Sequence, residues 1–527
     1  MIETTFPYSI AELVRDRAKE FKDSPVFSMS GDYLSYADFD LNSNRTANAL
    51  LAAGIKPGDR IAFLAKNSPV YFELMAAVAK IRAVIVPINW RLAGPELVYV
   101  LNDCEANLVF CGPEFAEQVI ESRASLLNQP PIYSISESTQ NCDSYADFHN
   151  GFSTTDPLLD ESADDDVVQL YTSGTTGNPK GAVLSSRMLL SLRGQEDDDV
   201  LASWQLYEPG ETALLAMPCF HVGGTSFGFS LMYNGGHAVV IAEYDPDIAL
   251  ALIEKYRIQK IFMVPAALQI LLNNPNIDNV DLSSLNYIFY GASPIPLELM
   301  RAAIDRFGCG FVQMYGMTET GGTIVALPPE DHSIEFNEKM RSVGKPLWGV
   351  ELKIIDEQGN TLPAGVIGEI ATRSDKNISK YWKLPEATAE TIDEDGWLRT
   401  GDAGYIDADG YLYIHDRVKD MIISGGENVY PAEVENAIYS HESVADVAVV
   451  GVPDKLWGEA VKAFVVLKEG AELDEKMIID FARTQIASYK CPKSVNFIET
   501  LPRNPSGKIL RRELREPFWE GKTKAVN

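Results

Sequence analysis

Six short apolar runs constrain this chain more than any other feature: IAFLA (61–65), AVIVPI (83–88), NLVFC (107–111), HAVVIA (237–242), KIFMVP (260–265) and NYIFYG (286–291). They are rich in β-branched residues, bounded by Gly and Pro, and interleaved with stretches of helical periodicity. Strands that are apolar on successive residues need cover on both faces, so the pattern predicts α/β layers with buried sheets. From about Val350 the texture changes. VELKIIDEQGN, GVIGEIATR and GYLYIHDR alternate apolar and polar residues around Asx/Gly turns, as short antiparallel strands do. After Asp416 a compact α+β pattern follows, with VADVAVVGVP and VKAFVVL as strands and helices at Pro431–Tyr439 and Glu475–Ser488. A chain of 527 residues exceeds one core. The expected division is a large multi-sheet α/β domain with a short β-rich subdomain over 1–416, and a small α+β domain over 417–527.

Charge narrows the partners. The chain carries 75 Asp and Glu against 45 Lys and Arg, a formal charge of −30. Nonspecific attraction to nucleic acid or to an anionic membrane is disfavoured on that balance. One stretch runs the other way: Tyr489–Lys524 holds nine basic residues and four acidic ones, which reads either as a solvated tail or as an anion site. The six cysteines show no CxxC spacing, as in a reduced cytoplasmic protein. The N-terminus has acids and no apolar core of a signal peptide; Ile10, Leu13, Val14, Ala18 and Phe21 fit one face of a helix. The longest apolar stretch, LMAAVAKIRAVIVPI, is broken by Lys80, Arg82 and Pro87, so no integral membrane segment is expected.

The stretch TSGTTGNPKG (172–181) follows a strand-like VVQLY. Hydroxyls at Thr172, Ser173, Thr175 and Thr176, backbone freed by Gly174 and Gly177, and the charge of Lys180 together suit a phosphate cradle. It is not the common P-loop, because Pro179 precedes the lysine and Gly181 follows it. Further motifs come in order: FHVGG (220–224), YGASPIP (290–296), QMYGMTET (313–320), RTGDAGYID (399–407), DRVKDMIISGGENVYPAEVE (416–435) and LPRNPSGKIL (501–510). Small residues at Gly291, Ala292 and Ser293 leave room for a flat purine against backbone, and Tyr315 can stack on it. Gly316 and Thr318 keep the ligand side open. Glu319 offers a hard carboxylate for Mg²⁺ on ATP, or is simply an acid at a helix start. Asp402 can accept from both ribose hydroxyls with Arg417 beside it; the bland alternative is a surface ion pair. Gly425 and Gly426 permit close approach of a thin ligand, and Pro431 with Glu433 and Glu435 reads as a helix start. Lys508 sits on a Pro/Gly-rich loop that suits a mobile side chain. No His/Cys spacing suggests zinc, and no G-x-S-x-G elbow suggests a hydrolase.

Together these motifs resemble the signatures of the AMP-forming adenylating enzymes: acyl- and aryl-CoA synthetases, peptide-synthetase adenylation domains and luciferases. The resemblance spans nearly the whole chain and is closest to bacterial fatty-acyl-CoA synthetases. It implies an ATP-dependent carboxylate–CoA ligase that forms an acyl-adenylate, with Mg²⁺ as cofactor and ATP, CoA and a carboxylic acid as substrates. Lys508 then matches the catalytic lysine of adenylation, and Gln313 joins the nucleotide ligands. His221, Val222, Gly223, Gly291 and Met317 match the acyl pocket, with Phe227, Phe229 and Tyr233 as further candidates. Lys419 matches a hinge about which the small domain swings. Gly425, Gly426, Trp457, Tyr489, Lys490 and Lys493 match CoA-binding positions, whereas Cys491 stands where some relatives carry arginine. A medium- or long-chain fatty acid is the first substrate expectation, and an aryl or phenylpropanoid acid the second. A carrier-protein-loading enzyme, a luciferase-like oxygenase and a non-catalytic nucleotide-binding protein are the other readings. A homodimer is among the expected forms.

Overall fold

The computed structural model describes residues 9–139, 141–172, 179–191, 202–335, 337–417, 420–424, 427–454, 457–503 and 508–520. All six apolar runs form strands, and all six pair only in parallel. Val84–Pro87, for example, lies between Arg60–Leu64 and the strand Asp166–Thr172, which it meets at Ile85 and Val168. Three runs belong to an eight-stranded sheet, alongside Asp166–Thr172 and Lys180–Ser185. The other three belong to a nine-stranded sheet, in which Gly310–Met317 adds a parallel strand and Gly322–Leu327 turns antiparallel. The alternating region after Val350 forms a four-stranded antiparallel sheet, ordered Glu351–Ile355, Gly368–Arg373, Leu398–Ile406, Leu412–Arg417. A five-stranded sheet draws all its strands from residue 422 onward. The protein is thus mixed α/β, with a large multi-sheet N-terminal domain and a smaller C-terminal one.

The interrupted apolar stretch is explained by the core. The helix Pro69–Lys80 is buried at every residue from Tyr71 to Lys80, so it is apolar all round because sheets and helices cover it. Lys80 is tolerated there because Asp40 Oδ1 (2.6 Å), Ser43 Oγ (2.8 Å) and Asn44 Oδ1 accept from its ammonium. The helix at Pro431–Tyr439 has the predicted bounds, with Pro431 at its first turn. That at Glu475 stops at Gln485 and not at Ser488, because Ile486 turns extended (φ −135°, ψ 163°) to bury its side chain partly against the C-terminal core.

Glu73 on the buried helix makes a stability prediction. Burial, the largest cause, pushes its carboxyl up to about 7 against lowering by Asn42, Tyr145 and Arg45. Tyr145 Oη lies 3.4 Å from Glu73 Oε2 and 2.6 Å from Thr46 Oγ1. A carboxyl whose folded pKa exceeds its unfolded one destabilises the fold increasingly as pH rises from about 4.5 to about 7. Glu73→Gln keeps the acceptor without the charge. It should raise the thermal midpoint at pH 8, by on the order of 2–3 kcal/mol of stability, and leave it unchanged at pH 5.

Candidate active site

Thr172 and Lys180, which flank the phosphate loop, end two neighbouring strands of the eight-stranded sheet. Thr172 and Lys180 are directly opposed Cα partners at the ends of two antiparallel strands, so the loop between them is a hairpin connection. Thr172 Oγ1 reaches Lys180 O (3.5 Å), and Tyr99 Oη donates to Pro179 O (3.3 Å) at the loop's end. Ser173, Gly174, Thr175 and Thr176 lie outside the described residues. Lys180 Nζ lies 5.1 Å from the ring centre of Tyr381, whose hydroxyl donates to Glu319 Oε1 at 2.8 Å. Glu319 is 6% exposed and belongs to the 3-10 turn Thr318–Thr320, so it does not begin an α-helix. Its backbone oxygen accepts from Ile378 N (2.8 Å), which binds the turn to the 374–378 segment. Nothing in the sequence singles out Tyr381, because its partner is 62 positions away.

The nucleotide candidates converge on one end of the Gly310–Met317 strand. Tyr315 Oη donates to Asp402 Oδ2 at 2.7 Å, and Asp402 and Arg417 are cross-strand partners. The side chain of Arg417 lies outside the described residues. Gln313 Oε1 accepts from Tyr290 Oη (3.3 Å) on the neighbouring parallel strand. Ala292 holds a left-handed φ of +66°, unusual for a residue with a Cβ, and Ser293 follows in the same bend. A Cβ at Gly291 would come 2.2 Å from Met314 O, and one at Gly316 2.0 Å from Gly322 O, so neighbouring backbone by itself demands glycine at both positions. Thr318 is half-buried.

The acyl candidates gather at the start of the helix Val222–Tyr233. His221 is its N-cap residue, without a capping hydrogen bond from its side chain. Its Nε2 is buried with no partner among the described residues. Burial first, then the charge of Lys508 and of Arg91, push its pKa down to about 4, so the imidazole is neutral at physiological pH. A Cβ at Gly223 would meet Phe262 Cε1 at 3.1 Å, and the Phe262 ring lies 6.3 Å from that of Phe227. Val222 Cγ2 lies 3.6 Å from where a Cβ on Gly322 would stand, and Gly322 pairs with Met317. Phe227 packs in the core beside Phe262. Phe229 is fully buried against Phe72 in the core. Tyr233 instead lies under Arg17, 5.6 Å from its guanidinium.

From the C-terminal domain, Lys508 is exposed, and its charge is one of those that hold the pKa of His221 down. Trp457 and Tyr489 are exposed (45% and 43%), and Lys493 Nζ lies 5.8 Å from the Trp457 ring. Lys490 is bound to both oxygens of Glu433 (2.6 and 2.8 Å). Cys491 is buried in the domain core, its thiol against the backbone oxygens of Ile486 and Ala487. The basic excess of the tail is largely engaged: Arg503 pairs with Asp446, Arg511 with Glu435 and Arg515 with Asp420. Lys419, Gly425 and Gly426 lie outside the described residues.

The profile of the AMP-binding enzymes matches residues 14–382, and that of the AMP-binding enzyme C-terminal domain matches residues 433–508. The chain belongs to the AMP-binding enzyme family. This AMP-binding enzyme is 42% identical over 511 residues to the fatty acid–acyl-carrier-protein ligase ScoC of Streptomyces coeruleorubidus, covering 96% of this chain and 95% of that one. It is 37% identical to a feruloyl-CoA synthase of an Amycolatopsis species, over 95% of this chain and 97% of the other. Among solved structures, ATP-bound MatB from Rhodopseudomonas palustris aligns with a TM-score of 0.86 at 30% identity, over 97% of this chain and 100% of that one. No helix among the described residues is long and apolar enough to cross a membrane.

Proposed function

We propose that this AMP-forming acid–thiol ligase makes acyl-CoA from a medium- or long-chain fatty acid through an acyl-adenylate. The observation that carries the reading is the buried carboxylate of Glu319, held by Tyr381 whose ring faces Lys180, just past the strand that carries Tyr315 and its bond to Asp402. In adenylation the substrate carboxylate attacks the α-phosphorus of ATP and pyrophosphate leaves. Charge spreads over the phosphoryl oxygens, so the main need is positioned positive charge. Lys508 would bridge carboxylate and α-phosphate. Thr172, the loop 173–176 and Lys180 would hold the departing β- and γ-phosphates. Asp402, braced by Tyr315, would hold the ribose, with Arg417 beside it. The neutral His221 would shape the acyl entrance without competing for negative charge.

Glu319 fits Mg²⁺ that arrives with ATP: it is a buried carboxylate with one oxygen oriented by Tyr381, and Mg²⁺ takes one or two protein carboxylates plus phosphates and waters. Bound there, the ion would neutralise phosphate charge. A division near 416/417, with rotation about Lys419 and approach of Gly425–Gly426 to the thioester-forming site, completes the proposed cycle in the cytoplasm.

A second reading, transfer to a phosphopantetheinyl carrier protein, is favoured by the buried Cys491 and the engaged Lys490, which leave fewer groups for the 3′-phosphate of CoA. The fatty acid–acyl-carrier-protein ligase at 42% identity points the same way, whereas the feruloyl-CoA synthase keeps aryl acids in view. The deciding experiment is acid-dependent pyrophosphate release across saturated fatty acids and phenylpropanoids, with thioester assayed on CoA and on a holo carrier protein. Release with fatty acids and free acyl-CoA as product is expected; release with aryl acids alone, or thioester on the carrier alone, overturns that part of the reading.

A further inference from the structure

The small domain sits on the large one with little apolar cement. Among the described residues, no buried hydrophobic cluster contains residues from both sides of residue 420. What crosses is specific. On the large-domain side, the hairpin Leu398–Ile406/Leu412–Arg417 carries a run of rings: Tyr405 stacks on Tyr413 at 4.8 Å and 4°, and His415 lies 5.6 Å from Tyr405. Ala403 pairs with Asp416 and Gly404 with Ile414, so His415 is the extra residue of a β-bulge. A bulge releases its residue from the ladder and re-aims the side chain. Here the ring meets Tyr430 of the small domain, 4.7 Å away. Tyr430 is 7% exposed and immediately precedes the helix Pro431–Tyr439. At the far end of that helix, Tyr439 Oη accepts from Gln269 Nε2 of the large domain at 3.2 Å.

One short helix is therefore held against the large domain at both ends, by a ring contact and by a single hydrogen bond. Two such contacts fix a rigid body's orientation better than one, and neither buries enough apolar surface to be permanent. In the orientation they fix, the strand that ends in Arg417 and pairs with Asp402 faces the helix Pro431–Tyr439 through His415 and Tyr430, and the charge of Lys508 bears on His221. The bulged residue lies two positions before Arg417, whose strand partner is Asp402, so the contact is built into the proposed ribose-binding hairpin.

We propose that His415 with Tyr430, and Gln269 with Tyr439, are positioning residues that clamp the C-terminal domain in its adenylating orientation and must part before thioester formation. The proposal rests on the two-step ligase reading above. The test measures each half-reaction separately: ATP–pyrophosphate exchange with the acid, and thioester formation from supplied acyl-adenylate and CoA. His415→Ala should lower exchange about tenfold in kcat, with the KM of the acid unchanged, and leave thioester formation within about twofold. His415→Phe restores a ring and should return most of the exchange. Tyr439→Phe keeps the ring and removes only the hydrogen bond, so it should give a loss of about threefold in exchange alone. Equal loss in both half-reactions, or a His415→Ala defect that His415→Phe does not relieve, marks a merely structural role and overturns the clamp. Unchanged exchange in both His415→Ala and Tyr439→Phe overturns it as well. Wild-type protein without acid-dependent pyrophosphate release sinks the ligase reading itself, which is a different result from an active wild type with symmetric variants.

Discussion

Lys508→Ala should lower acid-dependent pyrophosphate release by about 10²–10³-fold, the loss expected when one preorganised charge at a developing anion is removed. Thioester formation from supplied acyl-adenylate should stay within about threefold. The asymmetry follows from where the lysine sits. It is exposed, next to Ile509 whose side chain packs on the C-terminal core, and its charge is felt at His221. A side chain placed that way contributes only while the domains are juxtaposed, so its removal should spare the step that needs a different orientation. Lys508→Arg should recover only part of the rate, since a planar guanidinium cannot stand in for a compact ammonium between two oxyanions. Equal loss in both half-reactions removes Lys508 from adenylation and leaves it a general contact.

The layered sheets were legible because buried parallel strands write themselves as continuous apolar runs, and the later alternation announced an antiparallel sheet. The motif order likewise pointed to the family. Local patterns did not reveal which glycines are demanded by neighbouring backbone. Gly291 and Gly316 are both required by a carbonyl oxygen of an adjacent strand or turn, a demand set by strand pairing and invisible along one segment. The same limit applies to Phe229 and Tyr233: they share a helix with Phe227, but helical rotation carries them to Phe72 and Arg17. Lys490 and Cys491 show it at the far end of the chain, where a run of basic residues read as an anion site is largely spent on Glu433, Glu435, Asp446 and Asp420. Tyr381 was missed for the opposite reason: its role comes wholly from a contact with Glu319 that only the fold creates.

That contact carries the second large effect. Glu319→Gln should reduce adenylation by about 10²-fold and raise the Mg²⁺ concentration needed for half-maximal rate, because an amide oxygen is a weaker ligand for a hard cation than a carboxylate. Tyr381→Phe should act through the same group. Its hydroxyl donates to Glu319 Oε1 at 2.8 Å in a site where the carboxylate is 6% exposed, so removal leaves that oxygen without its orienting donor. The expected loss is about tenfold, again with a rise in the Mg²⁺ requirement. The ring remains in Tyr381→Phe, so the approach of Lys180 to its face at 5.1 Å is kept and the phosphate loop is undisturbed. The pair therefore forms a cycle. If tyrosine works only by holding the carboxylate, the double variant should be no slower than Glu319→Gln alone. Additive losses would mean that the hydroxyl has a separate task, and an unaltered Mg²⁺ requirement in Glu319→Gln would take the metal away from this carboxylate.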